Sequence, residues 1–249
     1  MSDKSLSVKS FGFDIYATSL DQLPTHHQTL VNTINQYSYC VTQNDPEFKI
    51  ALQKSDVLLP DGIAIVAAVK FLNNIKIKKI AGADIHEYCL KKLNKNNGRC
   101  FYLGSSNNTL DKIKHRLKLE YPNITVQTFS PPYKAIFSEQ ENEEMLAQVN
   151  SFKPDVVFVG MTAPKQEKWA TANKSRIDAQ LICTIGAVFD FYAGTINRPS
   201  QVWINLGLEW LGRLVKEPKR MWRRYLYYGP VFIVDILKQK MVSDKKINS

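Results

Sequence analysis

A carboxylate stands at the end of a predicted strand. Asp61 directly follows an apolar run at 56–60 and directly precedes a predicted helix. A carboxylate in this position can act as a general base that takes a proton from an attacking hydroxyl group. It can also cap the helix that follows, which is a common role for aspartate. The local pattern favours the capping role.

A second polar group comes after another apolar run. Lys165, Gln166 and Glu167 follow Pro164 and form the first turn of a predicted helix. Proline suits a helix start, which leaves the three polar side chains able to face a crevice. An amide can hydrogen-bond a sugar hydroxyl or a uracil, and an ammonium group can bind a phosphate. The alternative is a solvated first turn that binds nothing.

A glycine and small polar residues, LGSSNN, open a further predicted helix. Backbone N–H groups at a helix N-terminus bind phosphate well, so Gly104 and Ser105 are candidate phosphate contacts. An ordinary strand-to-helix turn with a Ser or Asn cap is equally favoured. The run is neither the G-x-G-x-x-G fingerprint nor a Walker A loop, so dinucleotide binding and P-loop NTPase activity are only weakly supported.

The stretch EWLGRLVKEPKRMWRRYLYYG mixes arginines with aromatic residues. Pro218 is predicted to divide it into two helices. In the second helix Arg220, Arg223, Arg224 and Tyr227 recur at i, i+3, i+4 and i+7, which predicts one cationic face. A helix of this kind is typical of a segment that lies on a membrane surface. Basic and aromatic residues together also fit a single-stranded nucleic acid.

Metal ligands are not evident from spacing. The sequence contains no D-x-D pair and no C-x-x-C pair. The carboxylate pair that often chelates a metal on a nucleotide sugar is therefore missing, and the cysteines are expected to be reduced core residues. If a diphosphate leaves here, arginines, lysines and backbone amides must stabilise its charge. We expect neither a metal nor another cofactor.

These residues need a scaffold that brings several strand ends together. Short β-rich runs alternate with helical runs, which predicts an α/β, Rossmann-like fold: a mainly parallel sheet with helices on both faces. Ligands bind beyond the carboxyl ends of such strands, which adds Thr42 and Asn44 to the candidates. The predicted strands are 11–17, 37–42, 56–60, 99–104, 124–129, 155–160 and 180–186. The predicted helices are 62–73, 84–95, 107–120, 139–151, 165–175 and 200–216.

Charge is distributed unevenly along the chain. The formal net charge is +10 over 249 residues, which indicates an anionic partner. The segment 198–249 holds 11 Lys and Arg against 4 Asp and Glu, with three of the four tryptophans. We therefore expect an α/β core over 1–197 and a basic, helical appendage over 198–249. No apolar run approaches the ~20 residues of a membrane span, and no signal peptide is expected.

Several segments, taken in order along the chain, resemble the WecG/TagA/CpsF glycosyltransferases, glycosyltransferase family 26. A single PKQE would be a weak signal, whereas the whole series is highly specific. The segments are VTQN (41–44), LLPDGIAIV (58–66), AGAD (81–84), FYLGSS (101–106), VGMTAPKQEKW (159–169), IGAVFDFYAG (185–194), NRPS (197–200) and GLEWLGRLVKEPKR (207–220).

The resemblance implies an inverting glycosyltransferase that needs no metal. Members move a sugar, often N-acetylmannosamine, from a UDP-sugar donor to a sugar on a polyprenyl-diphosphate carrier, in the synthesis of bacterial cell-surface polysaccharides. N-acetylmannosamine-type and glucose-type donors both stay open. The resemblance also implies a cytoplasmic protein held peripherally on the inner face of the plasma membrane, and it is compatible with a homo-oligomer.

The resemblance also assigns roles to residues. Asp61 matches the proposed catalytic base, which reverses the preference for a helix cap. Thr42 and Asn44 match a polar pair that lines the same pocket, and Gln166 matches a glutamine near the donor. Three appendage arginines match those thought to close over the site and meet the diphosphate: Arg213, Arg220 and Arg223.

The sequence departs from the family pattern in three places. Arg198-Pro199-Ser200 stands where the family motif reads RAP. Lys79 stands where many members carry arginine, and lysine keeps the charge but lacks the bidentate fork. Ala187 and Val188 stand in a segment that is glycine-rich in many members, which adds bulk near the donor pocket. None of these departures removes the proposed base, so an active enzyme is expected.

Two other classes of function stay open at this point. A nucleic-acid-binding module would use the basic and aromatic appendage, but it would leave the crevice motifs without a role. A non-catalytic scaffold in a polysaccharide assembly complex is less favoured because of Asp61 and the PKQE turn. We therefore expect no nucleic-acid partner. We expect the appendage at 198–249 to serve both as membrane anchor and as active-site lid, because the acceptor would lie in the same membrane.

Overall fold

A parallel sheet forms the centre of the molecule. The computed structural model describes residues 6–24, 27–196 and 209–247. Within these residues, six strands pair in the order β4-β3-β8-β7-β5-β6, and every pair is parallel. A separate antiparallel hairpin contains β1 and β2. The strands are β1 (Ser7–Ser10), β2 (Phe13–Tyr16), β3 (Thr29–Ile34), β4 (Val57–Pro60), β5 (Arg99–Gly104), β6 (Thr125–Phe129), β7 (Val156–Gly160) and β8 (Leu181–Thr184).

Helices connect the strands and follow the last of them. A π-helical turn at Arg223–Tyr227 joins the last two, α10 (Pro218–Trp222) and α11 (Tyr228–Ile247), into one continuous helical segment. The helices are α1 (Gln36–Thr42), α2 (Pro46–Gln53), α3 (Ile63–Asn73), α4 (Gly82–Lys95), α5 (Asn107–Glu120), α6 (Glu139–Phe152), α7 (Lys165–Asn173), α8 (Val188–Ala193), α9 (Glu209–Lys216), α10 (Pro218–Trp222) and α11 (Tyr228–Ile247).

Both faces of the sheet are covered, as the sequence predicts. Successive side chains of a strand point to opposite faces. In β5, Tyr102 packs in a cluster with α4, α5 and α8, whereas its neighbours Phe101 and Leu103 pack with α6 and α7. Strands buried on both faces read as continuous apolar runs, which explains why 99–104 and 155–160 were recognisable. The Rossmann-like α/β prediction is confirmed.

The predicted strand at 37–42 is wrong, because this segment is helix α1. Asn35 and Ser38 start the helix with a reciprocal cap: the Ser38 N–H donates to Asn35 Oδ1 at 3.0 Å, and the Asn35 N–H donates to Ser38 Oγ at 2.8 Å. The strand beside β4 is instead β3, which directly precedes α1. The pattern of apolar and polar residues did not reveal this strand. Its buried Asn32 looks unsuited to a core, but it accepts a hydrogen bond from Thr184 and donates one to Ser55.

The predicted strand at 11–17 belongs to the hairpin and not to the parallel sheet. Phe11 and Gly12 form its two-residue turn, and both have positive φ, at 37° and 87°. A turn of this kind joins adjacent antiparallel strands. The Phe-Gly pair was therefore a turn signal within a run that otherwise resembles a strand.

Helix α11 packs on the core. In α11, Phe232 and Ile236 are buried among aromatic residues of the hairpin and α1, where the Tyr39 ring lies 5.2 Å from that of Phe232. Gln239 Nε2 also donates to the Tyr39 hydroxyl at 2.9 Å. The expected boundary at 197/198 lies outside the described residues. Among the described helices, none is both long enough and apolar enough to cross a bilayer.

Candidate active site

The carboxyl ends of the central strands open into a cavity of about 950 Å³. Residues that follow β4, β5, β7 and β8 contribute to its wall, which is the position expected for a ligand site in this class of sheet. Five sequence-predicted residues line it: Asp61, Gly104, Ser105, Lys165 and Gln166. The tertiary structure therefore brings together side chains from segments more than 100 residues apart.

Asp61 lies at the junction of β4 and α3. Its backbone N–H donates to the Ile34 carbonyl at 2.8 Å, which ties the end of β4 to the neighbouring strand β3. The N-cap position of α3 is Gly62. Asp61 thus stands one residue before the cap and lines the cavity. A partly exposed carboxylate in this wall can approach a substrate hydroxyl, as a general base requires.

Thr42 and Asn44 are not among the residues that line this cavity. Thr42 ends α1, and its hydroxyl donates to the Tyr39 carbonyl at 2.6 Å. The expectation that this pair lines the same pocket as Asp61 is not met in this cavity. It rested on the incorrect strand at 37–42 and on the match of VTQN (41–44) to the family pattern. Thr33 and Asn35, which have the same T-x-N spacing, line the cavity instead.

Lys79 is also absent from this cavity wall, and it lies half-buried in the segment between α3 and α4. The next residue, Ile80, donates its backbone N–H to the Pro60 carbonyl at 3.0 Å. This bond anchors the segment near the end of β4. A phosphate contact by Lys79 therefore stays a prediction.

The end of β5 lies very close to the end of the neighbouring strand β7. Gly104 has φ +119°, and a Cβ at this position would lie 2.4 Å from the Gly160 carbonyl oxygen of β7. Ser105 follows with φ 61°, and its carbonyl accepts a hydrogen bond from the Ser130 hydroxyl at 2.7 Å. Ser106 then caps α5 by accepting from the Thr109 N–H at 3.3 Å. Ser106 therefore caps α5, while Gly104 and Ser105, directly before it, line the cavity.

Replacing Gly104 by alanine is expected to lower the free energy of unfolding by about 3 kcal/mol or more, because a positive φ and a backbone clash add up. Gly194→Ala is the matched control. Gly194 also has a positive φ, +70°, but a Cβ there would meet nothing within 4 Å. Its expected cost is about 1 kcal/mol. Urea unfolding of both variants measures the difference, and equal losses would contradict the clash.

Lys165 places a cation in the cavity wall. Its ammonium group donates to the Lys134 carbonyl at 2.7 Å and lies 4.5 Å from the centre of the Phe137 ring. Burial lowers its pKa below the ordinary value. A lysine held in this way offers a point charge to an anionic ligand.

Gln166 and Glu167 are buried at the start of α7, with exposed fractions of 4% and 2%. Gln166 Nε2 donates to Glu167 Oε1 at 2.8 Å. Burial raises the pKa of the Glu167 carboxyl from its ordinary 4.5 to about 7, against the opposing effect of this hydrogen bond. Glu167 was recognised in the sequence only as able to face the crevice, and its burial could not be read from local pattern.

The raised pKa of Glu167 makes stability depend on pH. The unfolded chain loses this proton near pH 4.5, whereas the folded chain keeps it until about pH 7. The stabilisation that belongs to the protonated form is therefore lost as the pH rises through this window. Glu167→Gln cannot ionise, so its unfolding free energy relative to wild type should increase by about 2 kcal/mol between pH 5 and pH 8. Denaturant unfolding at both pH values measures this gain.

Glu144→Gln is the control for that experiment, because Glu144 lies exposed on α6. Its difference from wild type is measured over the same pH range. A Glu167→Gln difference that changes no more across this range than that of the control would contradict the raised pKa.

Arg224, and not Arg223, is the described appendage arginine that lines the cavity. Its guanidinium lies 4.5 Å from the centre of the Tyr37 ring, and Tyr37 packs edge-on against Tyr228 at 5.2 Å. Arg223 is exposed. The side chains of Arg213 and Arg220 lie outside what the structure describes.

The predicted cationic face assumed regular α-helical spacing through this segment. The π-helical turn at Arg223–Tyr227 changes that spacing, because it holds more residues per turn. Within this turn Arg223 is exposed, whereas Arg224 is half-buried and lines the cavity. The 3.6-residue pattern contains no signal for this shift.

Among the described residues, no three His, Cys, Asp or Glu side chains come together as a metal site would require. The four cysteines are buried and unpaired, as expected. Metal independence stays a prediction.

Comparison with known proteins agrees with the geometry. The model of the Glycosyl transferase WecG/TagA/CpsF family matches residues 6–246. The chain is 27% identical to a relative from Bacillus spizizenii (93% of this chain, 91% of the relative) and 28% identical to one from Bacillus subtilis (89% and 86%). A Staphylococcus aureus relative is 29% identical (87% and 75%).

Each of these three relatives is named N-acetylglucosaminyldiphosphoundecaprenol N-acetyl-beta-D-mannosaminyltransferase. The family match spans nearly the whole chain, and the cavity lies where the family resemblance places the candidate base. The chain belongs to the WecG/TagA/CpsF family of glycosyl transferases.

Proposed function

We propose that this glycosyl transferase moves an N-acetylmannosamine-type sugar from a UDP-sugar to a sugar carried on a polyprenyl diphosphate. The observation that carries the proposal is one cavity that holds a candidate base, Asp61, and two cations, Lys165 and Arg224. The names of the three relatives favour N-acetylmannosamine over a glucose-type donor. The product would enter a bacterial cell-surface polysaccharide.

The reaction that fits the residues lining this cavity is a single displacement at the anomeric carbon. The acceptor hydroxyl oxygen attacks the anomeric carbon, its proton passes to the Asp61 carboxylate, and the bond from the anomeric carbon to the β-phosphate oxygen breaks. UDP leaves from the opposite face, so the anomeric configuration inverts. Lys165, Arg224 and the backbone amides at the start of α5 stabilise the diphosphate charge.

The reaction is tested by a panel of UDP-sugars with a short-chain polyprenyl-diphosphate N-acetylglucosamine, with UDP release as the measurement. UDP-N-acetylmannosamine should give release that depends on the acceptor. If no UDP-sugar gives acceptor-dependent release, the proposal is wrong. A salt-titrated oligonucleotide-binding assay beside it tests the nucleic-acid alternative, for which binding above background is not expected.

A peripheral membrane position would bring the cavity to a lipid-linked acceptor. Helix α11 buries one side on the core and exposes apolar side chains on the other: Ile233, Val234, Leu237 and Met241. Trp222 and Leu226 extend this exposed row towards the cavity-lining Arg224. Apolar side chains beside lysines and arginines are typical of a helix that lies in the interface of anionic lipids.

The double variant Ile233→Glu, Leu237→Glu is expected to lower sedimentation with anionic liposomes at least tenfold, because it places two charges in the lipid-facing row. Turnover of a membrane-embedded acceptor should fall with it, while turnover of a short-chain acceptor in solution should not. Leu119→Glu is the control, since Leu119 is 70% exposed on α5, outside this row. Equal liposome binding by all variants would refute this membrane face.

A further inference from the structure

Two buried polar atoms in the cavity wall have no hydrogen-bond partner within the described part of the chain. They are Gln166 Oε1 and Glu167 Oε2. Both residues line the cavity, and each is more than nine-tenths buried. A buried polar atom without a partner costs about 1–3 kcal/mol. Two such atoms side by side indicate that a bound ligand completes this part of the wall.

The Gln166 amide is held from two sides. Its Nε2 donates to Glu167 Oε1 at 2.8 Å, which uses one of the two amide hydrogens and fixes the orientation of the amide group. On the other side is Gly186, where a Cβ would lie 3.1 Å from Gln166 Oε1. Gly186 also lines the cavity. The absence of a side chain at Gly186 therefore leaves room for the amide in this orientation.

The orientation restricts which part of a nucleotide sugar can bind here. An amide oxygen only accepts hydrogen bonds, so its partner must carry an N–H or an O–H. Ionised diphosphate oxygens are acceptors and cannot supply this bond. The matching groups are neutral: the imide N–H of uracil, the ribose and sugar hydroxyls, or the N–H of an acetamido group.

We propose that Glu167 is a positioning residue, whose carboxyl group holds the Gln166 amide so that its oxygen accepts a hydrogen bond from a neutral N–H or O–H group of the donor. This inference rests on the proposed UDP-sugar function. Protonation of Glu167 does not remove the hydrogen bond, because in the neutral acid Oε1 remains a carbonyl acceptor and Oε2 carries the proton. A glutamine at 167 can supply the same acceptor.

Steady-state kinetics of Glu167→Met and Glu167→Gln test the positioning role. Methionine nearly preserves the volume but cannot accept this hydrogen bond, so the KM for UDP-N-acetylmannosamine should rise about tenfold with kcat changed less than about threefold. Glutamine should restore the KM to within about threefold of wild type. Thermal unfolding without ligand checks that each variant is folded. Gly186→Ala, which presses on the amide from the other side, is a second variant and should also raise the KM.

Inhibition by UDP identifies the donor group. If the Gln166 oxygen meets the base or the ribose, Glu167→Met should weaken UDP inhibition in the same proportion as it raises the KM. If the oxygen meets the transferred sugar, UDP inhibition should not change; both results support the inference. Wild-type turnover with unchanged KM in folded Glu167→Met and Gly186→Ala would overturn it and leave the proposed function standing. A wild-type protein that turns over no UDP-sugar would instead contradict the proposed function.

Discussion

Asp61→Asn is expected to lower kcat by about 10²–10⁴-fold, because the amide cannot take the proton of the acceptor hydroxyl. The substitution keeps the size of the side chain and leaves the backbone hydrogen bond to Ile34 in place. UDP binding and the unfolding midpoint should therefore match those of wild type. Turnover with the short-chain acceptor, together with calorimetric UDP binding, measures both parts of this prediction.

Asp190→Asn is the matched control. Asp190 is a second aspartate in the cavity wall, but it lies on α8 and not at the end of a strand. The Thr195 hydroxyl lies 3.1 Å from its backbone carbonyl and 3.3 Å from its Oδ1. We expect its loss of kcat to be at least tenfold smaller than that of Asp61→Asn. A larger loss in Asp190→Asn would transfer the role of base to Asp190.

Arg224→Ala is expected to lower kcat/KM by roughly 10–100-fold, the cost of a charged hydrogen bond to the leaving diphosphate. The guanidinium stacks on Tyr37, which orients its planar donors. Arg224→Lys should recover only part of the loss, because an ammonium group cannot make the bidentate contact. Initial rates over a range of UDP-sugar concentrations provide the measurement.

Arg223→Ala is the control that separates the diphosphate contact of Arg224 from the loss of one positive charge in this segment. The variant has the same change in net charge one residue away, but Arg223 is exposed and outside the cavity wall. With a soluble acceptor its kcat/KM should stay within about threefold of wild type. If Arg223→Ala is the more damaging of the two, the assignment of Arg224 to the diphosphate is incorrect.

Several candidate residues could be found from sequence because their signals are local. Gly104 ends an apolar strand, and Asp61 and Lys165 follow apolar strands, so the rule that ligands bind beyond strand ends selects all three. Thr33 and Asn35 could also have been found, since they carry the T-x-N spacing that was assigned to Thr42 and Asn44. They were missed because β3 carries a buried asparagine, whose partners come from distant segments.

Other features have no local signal. The burial of Glu167, and with it the raised pKa, depends on how α7 packs at the cavity wall. The choice of Arg224 over Arg223 depends on which side of the helix packs towards Tyr37 and the cavity. Neither follows from the order of polar and apolar residues along one segment.

Hydrophobic periodicity, turn residues and helix starts are properties of short segments, so the α/β class, most strands and the family resemblance could be read from the residues alone. Which side chains share one cavity depends on the strand order β4-β3-β8-β7-β5-β6 and on the packing of α11 against α1. These are contacts between residues far apart in the chain, where burial and shape select among alternatives that are locally equivalent. For this reason long-range packing placed Thr33, Asn35, Glu167 and Arg224 at the site and left Thr42, Asn44 and Arg223 outside it.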